Sequence, residues 1–302
     1  MALALGGAAL MAKRVRLGIS PCPNDTFAFH GLLSGAVLAR GLELEIELAD
    51  VEELNQRLAR GELDAAKASF AAVLGRGAEL CVLPAGAALG FGVGPLVLAP
   101  RARAPKLPVA REARVLAPGE HTTATLLWRL FHPGEGRLEQ VRFSEILPAL
   151  ERGEAELGLA IHEGRFTYRR RGLELVEDLG ERWERATGRP LPLGGIAARR
   201  DLGAQVLAQL ARAIADSIEH AWSHREEALA TMRAHAQEPS DEALWAHVEL
   251  YVGDETRALS GAGREALAEL DRRARQAGLV PPDAPPLEVL AGKESGRNPP
   301  DS

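Results

Sequence analysis

The chain has 302 residues and a formal net charge of -6, long enough for two lobes of roughly 100–150 residues and too long for one small core. Hydrophobic residues at 46% and charged residues at 26% are ordinary for a globular protein, and an aromatic share of 4% leaves the core to Leu, Ala and Val. The acidic balance lacks the basic footprint of a nucleic-acid binder, two cysteines argue against a disulfide or cysteine–metal framework, and no apolar run reaches the length of a membrane span.

Residues 1–10 are apolar but have no basic segment ahead of them and no small-residue cleavage site behind them. They read as a leader over 1–13 rather than an export signal, so a cytoplasmic location with reduced thiols is expected. From Arg14 to Ile19 apolar and polar residues alternate, which predicts a first strand that breaks at Ser20-Pro21-Cys22-Pro23. Asn24 or Asp25 is placed to cap the helix that follows. LELEIEL (42–48) has period two, a half-exposed strand. Asp50 then opens a helix reaching about Arg60, and residues 63–69 and 80–84 are further strand candidates.

Residues 86–95 are glycine-rich, and 99–108 are rich in proline and basic residues, as expected of a crossing between lobes. A second series follows: a strand at 114–116, a helix over 122–131, a strand at 140–143, a helix over 144–152 capped by Ser144, and a strand at 157–161. Pro190–Gly195 is expected to be the return crossing. Helical apolar spacing then runs over 202–224, 226–236, 241–251 and 264–277. This order predicts an α/β fold with mainly parallel sheets, built as a two-lobed clamshell with a ligand cleft between the lobes. Lobe I comprises 14–99 plus 196–285, lobe II comprises 100–195, and 286–302 forms a tail.

Four segments place unusual polar residues at strand ends or helix starts, where open α/β sheets gather ligands. Ser20, Asn24, Asp25 and Thr26 surround a helix N-terminus suited to an anion, although a rigid capped connector explains the same residues. Cys22 is unattractive as a nucleophile because the sequence puts no base beside it. Lys67 and Ser69, two apart on one strand face with Ala68 between them, offer a cation and a hydroxyl. The plain alternative is a salt bridge. Thr122 and Thr123, followed by Ala124, bring two hydroxyls to a helix start, where capping needs only one. His162 ends an apolar strand, and an imidazole titrating near neutrality suits proton abstraction, with Glu163 or Arg165 to orient it or bind an anion. A structural histidine explains it as well. The remaining histidines read as surface residues, His30 and His121 excepted. Arg169, Arg170 and Arg171 read as a solvated turn. Phosphate-loop, dinucleotide, serine-hydrolase and zinc-protease motifs are absent, so neither a cofactor nor a metal is expected.

Taken together, SPCPNDTFAF (20–29), GVGPLV (92–97), HTTA (121–124), IHEGRFTY (161–168), PLPLGGIAARRDLG (190–203) and WAHVELYV (245–252) resemble the signature stretches of the 1,4-dihydroxy-6-naphthoate synthase family of menaquinone biosynthesis. The resemblance implies a type II periplasmic-binding-protein-like fold. It also implies a lyase that converts cyclic dehypoxanthine futalosine to 1,4-dihydroxy-6-naphthoate, releasing a three-carbon fragment without a cofactor. In the family pattern His162 corresponds to the general base, while Lys67-Ala68-Ser69 and Thr123-Ala124 fall at substrate-contacting stretches. Two alternatives stay open, a chorismate dehydratase of the same pathway and a non-catalytic protein binding a small anion. The chain departs from the pattern at Gly253, where the family usually has Asn. A small anionic metabolite is the expected partner, with the oligomeric state open between monomer and homodimer.

Overall fold

A computed structural model describes residues 12–162, 164–236 and 240–291. Most of the leader expected over 1–13, Glu163 and the end of the tail lie outside the described residues. Eleven strands form two mixed sheets. The first contains β1 (Lys13–Ile19), β2 (Leu42–Leu48), β3 (Ala65–Ser69), β4 (Leu80–Val82), β5 (Ala88–Gly90) and β11 (Leu191–Arg199), in the order β2-β1-β3-β11-β4 with β5 also against β11. The second contains β6 (Leu96–Pro100), β7 (Arg114–Ala117), β8 (Arg137–Gln140), β9 (Leu157–Ala160) and β10 (Leu173–Asp178), in the order β10-β6-β9-β7-β8.

Strands joined by helical crossovers pair in parallel, β1 with β2 and β3, and β7 with β8 and β9. The strands next to a crossing run antiparallel: β6 against β9 and β10, and β11 against β3, β4 and β5. This corrects two sequence expectations. β6 was expected in lobe I, within 14–99, but it belongs to the second sheet. Pro190–Gly195, expected as a bare crossing, largely becomes β11 of the first. The crossings are therefore shorter than predicted and meet at two glycines. A Cβ on Gly94 would sit 2.2 Å from the Gly180 Cα, so backbone touches backbone there.

The tail also starts later than residue 286. Val82 N donates to the Glu288 carbonyl and Leu290 N to that of Val82, which covers the edge of β4. In the second sheet β8 lies earlier than expected, and helix Phe143–Glu151 begins before Ser144, with Arg142 at its N-cap. Helix Pro23–Ala28 begins at a proline, which is pre-set for the first helical position, with Cys22 at the N-cap, so Asn24 and Asp25 lie inside the first turn instead of capping it. Arg169, Arg170 and Arg171 do lie exposed in a short 3-10 turn.

Helices Arg225–His235 and Asp241–Tyr251 pack against helix Pro23–Ala28. Phe27, fully buried, meets Trp222 and Trp245 edge to face at 4.9 and 5.8 Å. Aromatic pairs of this kind add about 0.5–1.5 kcal/mol beyond burial. They fix the loop before Pro23, and with it Cys22, against the helical layer.

Candidate active site

A cleft is lined by strand residues of the first sheet, by Pro95 and Ile161 beside the ends of β6 and β9 of the second, and by helix Asp241–Tyr251. Asn24, Lys67, Ala68, Ser69, Thr122, Thr123, Ala124 and His162 all border it. Ser20, Asp25 and Thr26 do not, and their positions explain why. Ser20 Oγ donates to Asp25 Oδ2 at 2.6 Å, Asn24 Nδ2 donates to Asp25 Oδ1 at 2.9 Å, and Thr26 Oγ1 donates to the Cys22 carbonyl at 3.1 Å. These three residues form a buried layer behind the wall.

That layer serves Lys67, whose Nζ lies 2.6 Å from Asp25 Oδ1 and 3.3 Å from the Gly86 carbonyl oxygen. Lys67 is 8% exposed and Asp25 2%. The ammonium that the sequence offered as an anion ligand is already neutralised in a buried pair, so it contributes donor protons at the cleft wall more than net positive charge. Neighbouring Ser69 is held by Asn55, a buried residue the sequence reading missed. Asn55 Oδ1 accepts from Ser69 N at 2.9 Å, and Asn55 Nδ2 reaches Ser69 Oγ at 3.4 Å and the His121 carbonyl at 3.5 Å. One amide thus ties the Lys67–Ser69 strand to the Thr122 helix start. Glu52 reinforces the tie at the exposed rim, where its carboxylate meets His121 Nδ1 at 2.7 Å and His121 N at 3.1 Å.

At helix Thr123–Phe131 the two hydroxyls are already spent. Thr122 Oγ1 accepts from Thr125 N at 3.3 Å as N-cap and donates to the Gly119 carbonyl at 2.9 Å, and Thr123 Oγ1 donates to the Leu193 carbonyl at 2.6 Å. The unspent donors of this helix start are therefore the main-chain N–H groups of Thr123 and Ala124, which have no intrahelical acceptor. The close approach that places Leu193 needs glycine next to it, since a Cβ on Gly194 would lie 2.5 Å from the Ala68 carbonyl oxygen.

His162 follows β9 with φ 54, a left-handed conformation uncommon for a side-chain-bearing residue and frequent at functional sites. Its Nδ1 lies 3.2 Å from Cys22 Sγ, and its ring meets Phe143 edge to face at 5.0 Å. The sequence put no base beside Cys22; the fold puts His162 there, 140 positions further along the chain. The tautomer that donates Nδ1–H to sulfur carries its lone pair on Nε2. Arg165, offered as a partner or anion ligand, borders the same cleft, and its guanidinium donates to the Gly94 carbonyl and pairs with Asp178 at 2.7 Å, clamping the crossing beside His162.

His247, read from sequence as a surface residue, is 2% exposed and borders the cleft, with its ring 6.3 Å from that of His162. Both of its ring nitrogens lack a hydrogen-bond partner among the described residues. Burial, and then the nearby His162, lower its pKa to about 3. A signal was present in the sequence: His247 and Tyr251 are four apart on one helix, and both reach the cleft. The low value has a stability consequence. The unfolded state takes up a proton near pH 6.5 that the folded state refuses until about 3, so His247 stabilises the fold above pH 6.5 and loses that contribution as pH falls towards 3. Unfolding free energy measured by urea titration should fall by about 1.4 kcal/mol per pH unit from this group between pH 6 and 4. His247→Phe should flatten that slope.

Two sheets linked by crossings, with a cleft between them, define a periplasmic-binding-protein-like fold. The alkanesulfonate-binding protein SsuA of Xanthomonas axonopodis pv. citri superposes with a TM-score of 0.67 at 12% identity, covering 89% of this chain and 94% of that one. Within that fold the chain belongs to the menaquinone biosynthesis family, which matches residues 15–276. Curated relatives from Thermus thermophilus and Streptomyces coelicolor, both named 1,4-dihydroxy-6-naphtoate synthase, are 48% and 41% identical. They align with 92% and 91% of this chain and with 100% and 99% of their own lengths. Among the described residues no helix is long and apolar enough to cross a membrane.

Proposed function

We infer that this chain is a carbon–carbon lyase that converts cyclic dehypoxanthine futalosine to 1,4-dihydroxy-6-naphthoate, releasing a three-carbon fragment. The observation that carries the site assignment is the imidazole of His162, set against a thiol at one wall of a cleft whose other wall is a helix start with unspent N–H groups. In this reading the substrate carboxylate docks on the N–H groups of Thr123 and Ala124, with Lys67 and Ser69 donating beside it. His162 Nε2 then removes a proton from the substrate and sets off carbon–carbon cleavage, with aromatisation as the driving force. His247, neutral throughout the working range, offers a buried donor or acceptor to the ring system, which would give its unpartnered nitrogens a partner. A general base supplies about 10²–10⁴-fold, and orientation within the closed cleft supplies much of the remainder.

A cytoplasmic site of action fits the reduced Cys22 that this geometry uses, since thiols persist in reducing compartments. The test is mass spectrometry of purified protein incubated separately with cyclic dehypoxanthine futalosine and with chorismate. The expected outcome is 1,4-dihydroxy-6-naphthoate from the first and unchanged chorismate from the second. Dehydration of chorismate would move the protein to the sister activity, and two unchanged substrates would favour a binding role.

A further inference from the structure

His30 opens the short helix His30–Leu33, His220 lies in the last turn of helix Ala204–Ser223, and Glu227 lies in the first turn of helix Arg225–His235. One ligand atom from each lies within 4.8 Å of the other two, and the two imidazole rings are 5.6 Å apart. His30 is only 2% exposed. Its Nδ1 is 2.8 Å from Thr231 Oγ1, while its Nε2 and the Nε2 of His220 are both buried without a hydrogen-bond partner among the described residues. Two unpartnered imidazole nitrogens beside a carboxylate call for an explanation, because each such buried group costs about 1–3 kcal/mol. Donation of Nδ1–H from His30 to Thr231 leaves the lone pair on Nε2. Metal-bound histidines use this arrangement, with the second nitrogen anchored by an outer partner.

We propose that His30, His220 and Glu227 form a binding site for a divalent transition metal of the zinc or cobalt kind, pinning three helices together away from the catalytic cleft. Two imidazoles and one carboxylate suit such an ion better than magnesium or calcium, which favour all-oxygen sites. Glu227 is exposed, so water completes the coordination from the solvent side. The role is structural. His30 directly follows the segment that carries Cys22, Asn24 and Asp25, so the ion would stiffen the support of that wall without entering the reaction.

The test uses tag-free, full-length protein stripped with chelator and titrated with Zn2+ by calorimetry, and with Co2+ by visible absorbance. Cys22→Ser serves as the parent, because the cleft thiol is a competing ligand. One Zn2+ per chain is expected, with a rise in melting temperature on binding. Thr231→Val should weaken affinity about 10–100-fold, the usual cost of losing an outer partner. His220→Ala, at a half-buried position, should melt like the parent without metal and lose both stoichiometric binding and the melting shift. Absence of binding in the parent, or binding of equal strength in His220→Ala, would overturn the proposal.

Discussion

Replacing His162 with alanine should lower turnover at least about a hundredfold, the low end for loss of a general base, while the protein stays folded. The fold should tolerate the change because the ring is only half-buried at a cleft wall, where it meets Cys22 at 3.2 Å and Phe143 at 5.0 Å. Steady-state kinetics with matched circular dichroism would check both halves. A near-parental rate would remove His162 from the mechanism, and an unfolded variant would mean that the left-handed turn depends on this ring. Cys22→Ala should cause a smaller fall, because it takes away the group beside Nδ1 and leaves the base in place.

The second large effect concerns stability. Asp25→Ala should cost about 3–5 kcal/mol, since it strands a buried ammonium. The pair is compact, with side-chain exposures of 10% for Lys67 and 3% for Asp25. Asp25→Leu combined with Lys67→Met should recover most of that loss, because a buried ion pair owes much of its apparent worth to the penalty of breaking it. It should not recover activity, because the donor at the cleft wall is gone. Urea unfolding of the parent, the single and the double variants would decide the matter. A single variant as stable as its parent would contradict the prediction and show that Lys67 finds another partner.

Local order was readable where one element decides it. The periodicity of residues 14–19 and 42–48, the helix start at Thr122 and the histidine at the end of an apolar strand all depend on near neighbours, and the structure places each of them as expected. The pairings that make the site depend on distant residues. Cys22 and His162 are separated by 140 positions, and Asn55 acts on Ser69 and on His121 from a helix 14 and 66 positions away in the chain. Nothing in a linear pattern reports that a hydroxyl is already donated, so Thr122 and Thr123 read as ligands when their protons go to the Gly119 and Leu193 carbonyls. The crossings misled for a related reason. Prolines and glycines in residues 190–195 signal a turn locally, whereas in the fold Gly194 is the residue that lets β11 approach β3.

His247 shows how burial overrides composition. A histidine between Ala246 and Val248 on an otherwise mixed helix looks solvated, yet packing of Leu244 and Val248 against Phe27 turns the same helix so that His247 faces inward. The cost of burying it appears as a pKa lowered to about 3, from which the acid sensitivity predicted above follows.

The most direct measurement is a crystal structure of the protein with 1,4-dihydroxy-6-naphthoate bound. Its carboxylate should lie within about 3 Å of the Thr123 and Ala124 nitrogens, with His162 Nε2 within hydrogen-bond reach of the ring system. A product molecule seated elsewhere, or one whose carboxylate points away from the helix start with His162 turned from it, would contradict the assignment of this cleft.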